Sequence, residues 1–192
     1  NKKSLALDLS KPEGQAIFKD LAKTADVVVE NLRPGAMKKI GLTYEQLKES
    51  NPKLIWALIS GFGQLEGYRG PYADRPAFDI VAEAMSGIMN LVGFADKPPS
   101  WTIYGMADIY TGMVTSFGIM QALFMRERTG QGQLVDSAMF DNPETGLDSY
   151  HAFQEGLMKE NNALSVNDCN LIVTTLHGVI RFAVNSKTYT AT

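Results

Sequence analysis

Leu54-Ile55-Trp56-Ala57-Leu58-Ile59 is a six-residue apolar run without a polar interruption. A run of that length, apolar on both faces, is the mark of a strand buried on two sides in a parallel sheet covered by helices. Val27-Val28-Val29 is a shorter β-branched run of the same kind, and residues 35–50 between the two read as helical with a break at Gly41-Leu42-Thr43. Upstream, Leu5-Ala6-Leu7-Asp8-Leu9 alternates and reads as a further strand. Ser10 followed by Pro12-Glu13 reads as the start of a helix whose Ile17, Phe18, Leu21 and Ala22 share one face. The order strand, helix, strand, helix, strand predicts an α/β fold built on a doubly wound parallel sheet.

Downstream, residues 61–76 are Gly, Pro, Tyr and charges, a loop too long for a simple connector and therefore a place to look for function. Residues 77–92 read as a helix with Ile80, Ala84, Ile88 and Leu91 on one face, and Lys97-Pro98-Pro99 ends the next loop. A longer helix is expected over residues 106–128. It contains Gly112 and Gly118, each costing about 1 kcal/mol against Ala, which predicts close approach of another backbone. Thr129-Gly130-Gln131-Gly132 closes that helix, residues 134–141 read as a strand, and another helix is expected to about Lys159.

With 192 residues, 45% hydrophobic and 20% charged, the chain can bury a real core, which excludes disordered and fibrous classes. A net charge of −3 gives no general attraction to nucleic acid or a membrane surface, so an anionic ligand must be held by a few local cations. One cysteine, Cys169, excludes an internal disulfide framework, no Cys/His cluster offers a zinc site, and a reducing cytoplasm fits best. No apolar run reaches the roughly 18 residues that a membrane helix needs. The chain begins at Asn1 rather than Met and reads as part of something longer.

Three constellations carry chemistry. Asp108, in Tyr104-Gly105-Met106-Ala107-Asp108-Ile109-Tyr110-Thr111-Gly112, stands at the start of the long helix, where an acid is either a cap or a carboxylate kept ionised for nucleophilic work. Val29-Glu30-Asn31-Leu32-Arg33-Pro34-Gly35-Ala36 follows a strand, the place where open α/β sheets bind ligands; the plain alternative is a turn in which Asn31 bonds its own backbone. Arg75-Pro76-Ala77-Phe78-Asp79 opens a helix, with Asp79 a second capping acid. Two look-alikes fail. Gly61-Phe62-Gly63-Gln64-Leu65-Glu66-Gly67 has its third Gly one place late for a dinucleotide loop, and the 129–132 turn lacks the Lys of a phosphate loop. His151 and His177 stand near no Ser or Cys nucleophile pattern.

Taken together from Lys3 to about Lys159, these spaced motifs resemble the family III coenzyme A transferases, the group that contains formyl-CoA transferase and the carnitine-linked CoA transferases. The resemblance implies a Rossmann-like large domain over residues 1–160, N-terminally truncated, and an interlocked homodimer at full length. Residues 161–192 would then be a divergent tail leading to a missing small domain, since Leu176-His177-Gly178-Val179 departs from the family's Tyr-Gly-x-Phe turn. It implies that Asp108 is the acyl-accepting nucleophile, with Asp79 supporting it. Asn31, Leu32 and Arg33 would touch the adenosine and pyrophosphate side of CoA, with cations from Arg33, Lys38 and Lys39 and with Arg75 on the segment beside the nucleophile. No tightly bound cofactor is implied: acyl-CoA and a free carboxylic acid are substrates. Related acyl-CoA racemases carry a histidine base where this chain has Phe78, which cannot exchange a proton. Racemase chemistry and a non-catalytic CoA-binding fragment are the alternatives.

Overall fold

The computed structural model describes residues 3–102 and 105–141, and the backbone of residues 180–182. The expected helix to about Lys159, Cys169, both histidines and the 176–179 turn lie outside these described residues. The elements in chain order are α1 (Pro12–Thr24), β1 (Val27–Glu30), α2 (Ala36–Lys39), α3 (Tyr44–Ser50), β2 (Ile55–Ser60) and α4 (Asp79–Ser86). A 3₁₀ turn (Ile88–Asn90), α5 (Met106–Thr129), β3 (Leu134–Ala138) and β4 (Ile180–Phe182) complete the series. The strands form one sheet in the order β1-β2-β3-β4, with the first three parallel and β4 antiparallel to β3.

Alternation across the sheet builds two apolar layers. Val28, Trp56 and Leu134 lie in register and pack with Ala22, Met37, Leu42 and Leu47 from α1, α2, α3 and their connections. Val27, Ile55, Ala57 and Val135 point the other way, onto Ala122, Val114, Ile119 and Leu123 of α5. Helices therefore cover both faces, as the apolar runs predict. Leu54 and Ile55 are fully buried, and truncating either to Ala is worth about 2–5 kcal/mol of stability.

Local chemistry sets the ends of the helices. Thr43 and Gln46 form a reciprocal capping box at α3, with Thr43 Oγ1 accepting from the Gln46 N–H and Gln46 Oε1 accepting from the Thr43 N–H. Gly130 ends α5 in the left-handed region at φ 70°, its N–H donating to the Arg126 carbonyl. Gly132 lies so close to the chain before β2 that an added Cβ would stand 2.0 Å from the Leu54 carbonyl oxygen. The 129–132 turn is structural, as expected.

Three expectations are corrected. Residues 5–9 form no strand: none of them pairs with a strand of the sheet, and the segment instead crosses α1, where a Cβ on Gly14 would meet the Asp8 carbonyl oxygen at 2.2 Å. α1 itself begins as expected, with Pro12 in its first turn; Ser10 donates through its N–H and hydroxyl to Asp8 Oδ1, and Lys11 is the N-cap. The helix expected over residues 77–92 breaks at Gly87, φ 82°, and its supposed core face is turned outward: Ile80, Ala84 and Leu91 are exposed while Ala82 and Glu83 are fully buried. Gly112 meets no close backbone, for a Cβ there would find nothing within 4 Å among the described residues.

Candidate active site

The direction of α5 places its first turn. Arg126, near its end, donates to the Lys53 carbonyl and pairs with Asp26 at 3.0 Å, both just before strands begin. Ala107, at its start, packs with Ile59 and Met139 at the strands' carboxyl ends. The helix thus runs back along the sheet, and Asp108 stands at the edge where open α/β sheets bind ligands.

Two aspartates meet there. Asp79 is the first residue of α4, and neither it nor its N-cap, Phe78, caps that helix through a side chain. Its carboxylate reaches across to the next helix. Oδ2 accepts from the Gly105 N–H and Oδ1 from the Asp108 N–H, each at 3.1 Å. Gly105 is the N-cap of α5, held at φ 79°, and has no side chain to do this itself. Asp79 therefore satisfies N–H groups that every helix leaves open at its amino end. Asp108 lies on the exposed side of the first turn and its carboxylate accepts no hydrogen bond among the described residues. Partial burial first, and the neighbouring charge of Asp79 second, raise its pKa above the ordinary carboxylate value. The result is a carboxylate fixed by its backbone, with neither oxygen bonded among the described residues, in a setting that resists its ionisation.

A second locus lies on the sheet face that carries Trp56. A groove of about 1140 Å³ runs there, with Glu30, Leu32, Arg33 and Lys38 along one side and Gln64, Leu65 and Arg69 along another. Burial raises the pKa of Glu30, opposed by a hydrogen bond from the Trp56 side chain. Leu32 and Arg33 line the groove. Of the two lysines the sequence offers, Lys38 lines it and Lys39 does not. Arg75 stacks its guanidinium 4.8 Å from the Tyr72 ring centroid and also lies off the groove. Asn31 Nδ2 donates to the Ile59 carbonyl at 3.0 Å, so it ties the carboxyl end of β1 to that of β2 rather than bonding its own turn. Asp79 and Asp108 stand together, but neither lines this groove.

Two acids escape sequence reasoning. Asp136, 1% exposed in β3, accepts through Oδ2 from the N–H groups of Gln64 and Leu65, both at 2.7 Å, and so pins the groove wall after β2. Its one signal is that it is a charged residue in a strand otherwise buried from Val135 to Ala138. Glu83, fully buried in α4, has none.

Comparison with known proteins assigns the family. The model of CoA-transferase family III matches residues 1–186. The chain is 43% identical over 141 residues to the succinyl-CoA:mesaconate CoA-transferase of Haloarcula hispanica, covering 73% of this chain and 36% of that protein. Against the acetyl-CoA:oxalate CoA-transferase of Acetobacter aceti the identity is 45% over 142 residues, 73% of this chain and 35% of that one. The chain therefore spans about a third of the length of the curated relatives it matches. Among solved structures, a CAIB/BAIF family protein from Brucella suis superposes with a TM-score of 0.71 at 39% identity, over 83% of this chain and 41% of that one. The Rv3272 protein of Mycobacterium tuberculosis gives 0.68 at 32% identity, over 83% and 43%. By the family model and by these relatives, this chain is a member of CoA-transferase family III.

Proposed function

We propose that the protein transfers coenzyme A from an acyl-CoA thioester to a free carboxylic acid, with Asp108 as covalent nucleophile. One observation carries this reading: Asp79 does the capping at α5, which leaves both oxygens of Asp108 available at the ligand-binding edge of the sheet. In the first step an Asp108 oxygen attacks the thioester carbonyl carbon, the C–S bond breaks, and CoA leaves as thiolate, giving a mixed anhydride. The thiolate then attacks the aspartyl carbonyl carbon. The C–O bond breaks, the donor acid leaves as carboxylate, and an aspartyl-CoA thioester remains. The acceptor carboxylate repeats the sequence in reverse and restores the Asp108 carboxylate.

Leu32 and Arg33 hold the nucleotide end of CoA in this scheme, Arg33 by a forked, charge-assisted grip on phosphate. Asn31 sets the strand end from which they project. Lys39 and Arg75 add positive charge nearby without lining the groove. CoA is a substrate here, with no tightly bound cofactor, and the reaction belongs to the cytoplasm. Acceptors named for the relatives are mesaconate and oxalate, so small di-acids form the first panel of acceptors to try. A homodimer is supported by Ile109, Met113, Phe117, Met120 and Phe124. They are spaced along one side of α5, all more than half exposed among the described residues, and monomers rarely leave such a stripe open.

Racemase chemistry is the rival, and Phe78, 77% exposed beside Asp79, offers it no proton-exchanging group. The deciding experiment supplies the full-length protein with acyl-CoA and a free acid in deuterated water. CoA is expected to move to the acid without deuterium entering the α-position. Rapid α-exchange without transfer would assign the racemase reaction instead, and neither would assign CoA binding alone.

A further inference from the structure

One more carboxylate lies behind the two aspartates. Glu83 follows Asp79 by four residues on α4, a spacing that puts both acids on one side of the helix. No part of Glu83 reaches solvent. Its Oε2 accepts from the Thr102 hydroxyl at 2.8 Å and from the Thr102 N–H at 3.3 Å. Its Oε1 has no hydrogen-bond partner among the described residues. Burial of a half-satisfied carboxylate is costly, and a leucine or methionine would fill the same volume without that cost. Packing of α4 on α5 therefore gives no reason for an acid here. What an acid supplies is a charge-assisted anchor, about twice as strong as a neutral one.

The anchor falls at a particular place. Asp79 holds the N–H groups of Gly105 and Asp108; Glu83 holds Thr102, three residues upstream of Gly105. The chain that leads into α5 is thus gripped at two points from one helix face. Held only at Gly105 and Asp108, the chain upstream can still move and pull on Gly105, so the first turn of α5 and the Asp108 carboxylate on it would be held less firmly. A second grip at Thr102 removes that freedom.

We propose that Glu83 is a positioning residue: through Thr102 it fixes the approach to α5 and so aims the Asp108 carboxylate at the thioester. The inference rests on Asp108 being the nucleophile. Misplacement of a reacting group by about 1 Å costs about a hundredfold in rate, so a residue that touches no substrate can still govern turnover.

Steady-state kinetics on the full-length protein, with active sites titrated by their CoA adduct, test this with four variants. Glu83→Ala should lower kcat per active site by about 10- to 100-fold while KM changes by less than about threefold, the split expected when alignment rather than binding is lost. Glu83→Gln keeps an acceptor oxygen for Thr102 and should restore kcat to within about threefold. Thr102→Val removes the hydroxyl donor with little change of shape, and should lower kcat about three- to tenfold with an unchanged melting temperature. Amide hydrogen exchange in the peptide that covers residues 102–108 should rise in both impaired variants. Full kcat per active site in Thr102→Val, or a Gln variant as impaired as the Ala one, would overturn the positioning role, and the Thr102 arm stands even where Glu83→Ala does not fold. Asp108→Ala in the same assay separates the two levels. If it still turns over, the nucleophile assignment has failed; if it is dead while Glu83→Ala and Thr102→Val run at full rate, only the positioning role has.

Discussion

The first turns of α4 and α5 each carry an aspartate, and the two are used in opposite ways. Asp79 gives both oxygens to backbone N–H groups at the start of the following helix, whereas Asp108 gives neither among the described residues. By helical position alone the two are interchangeable, since each is an acid in a first helical turn where the dipole favours it. What separates them is that the cap of α5 comes from α4, 26 residues back from Gly105. On the proposed reading, one carboxylate is thereby committed to structure and the other is left for chemistry.

The comparison breaks most visibly if Asp108 is removed. Asp108→Ala in the full-length protein should reduce transfer by at least about a thousandfold, because a covalent nucleophile accounts for several kcal/mol of the barrier. CoA should still bind, since the groove residues are untouched; turnover within about tenfold of wild type would place the nucleophile elsewhere. Removing Asp79 should do less to the chemistry and more to the fold. Asp79→Ala strips two N–H groups of their acceptor and should cost about 0.5–2 kcal/mol in denaturant unfolding, in the range of a lost helix cap. Unchanged stability would mean that water caps α5 equally well.

A gentler change sharpens the contrast. Asp79→Asn removes the charge while keeping an acceptor, so the smaller of the two causes that raise the Asp108 pKa disappears. The reactive form is the ionised one, and the acid limb of kcat/KM should therefore move to lower pH, stopping short of the ordinary carboxylate value because burial remains. Stability carries the same sign: a carboxyl with a raised folded-state pKa favours the fold while protonated, and that contribution is lost as pH rises from the unfolded value through the folded one. In Asp79→Asn the loss should be smaller. An acid limb that stays in place would remove Asp79 as a cause.

How much of this was open to inspection follows from the range of the interactions. The strands at Val27 and Ile55 announce themselves because a two-sided apolar run reflects local burial. Residues 5–9 have the right alternation yet form no strand, since a ladder needs a neighbour that no local pattern specifies. The face of α4 misleads because its inward side is occupied by Asp79 and Glu83, which bond the backbone ahead of and within α5, while Ile80 and Ala84 point outward. Apolar periodicity finds a core only where the core is apolar. Asn31 and Asp136 are further cases, with partners at Ile59 and at Gln64 and Leu65 that no spacing reveals. Asp108 itself was legible as a position, through its motif, but its freedom was not.

The groove provides the smallest effect. Arg33→Ala should weaken CoA binding about tenfold at low salt and less at high salt, as expected for a charge-assisted phosphate contact under screening. Calorimetry with equal affinities for wild type and variant at both salts would detach Arg33 from the nucleotide.

The most direct test of the division between the two aspartates is to catch the intermediate. Full-length protein incubated with acyl-CoA, quenched and digested, should yield the peptide containing Asp108 with the added mass of CoA in thioester linkage, and the peptide containing Asp79 unmodified. A CoA or acyl adduct on Asp79, or continued transfer with no adduct on Asp108 at any time, would contradict the account.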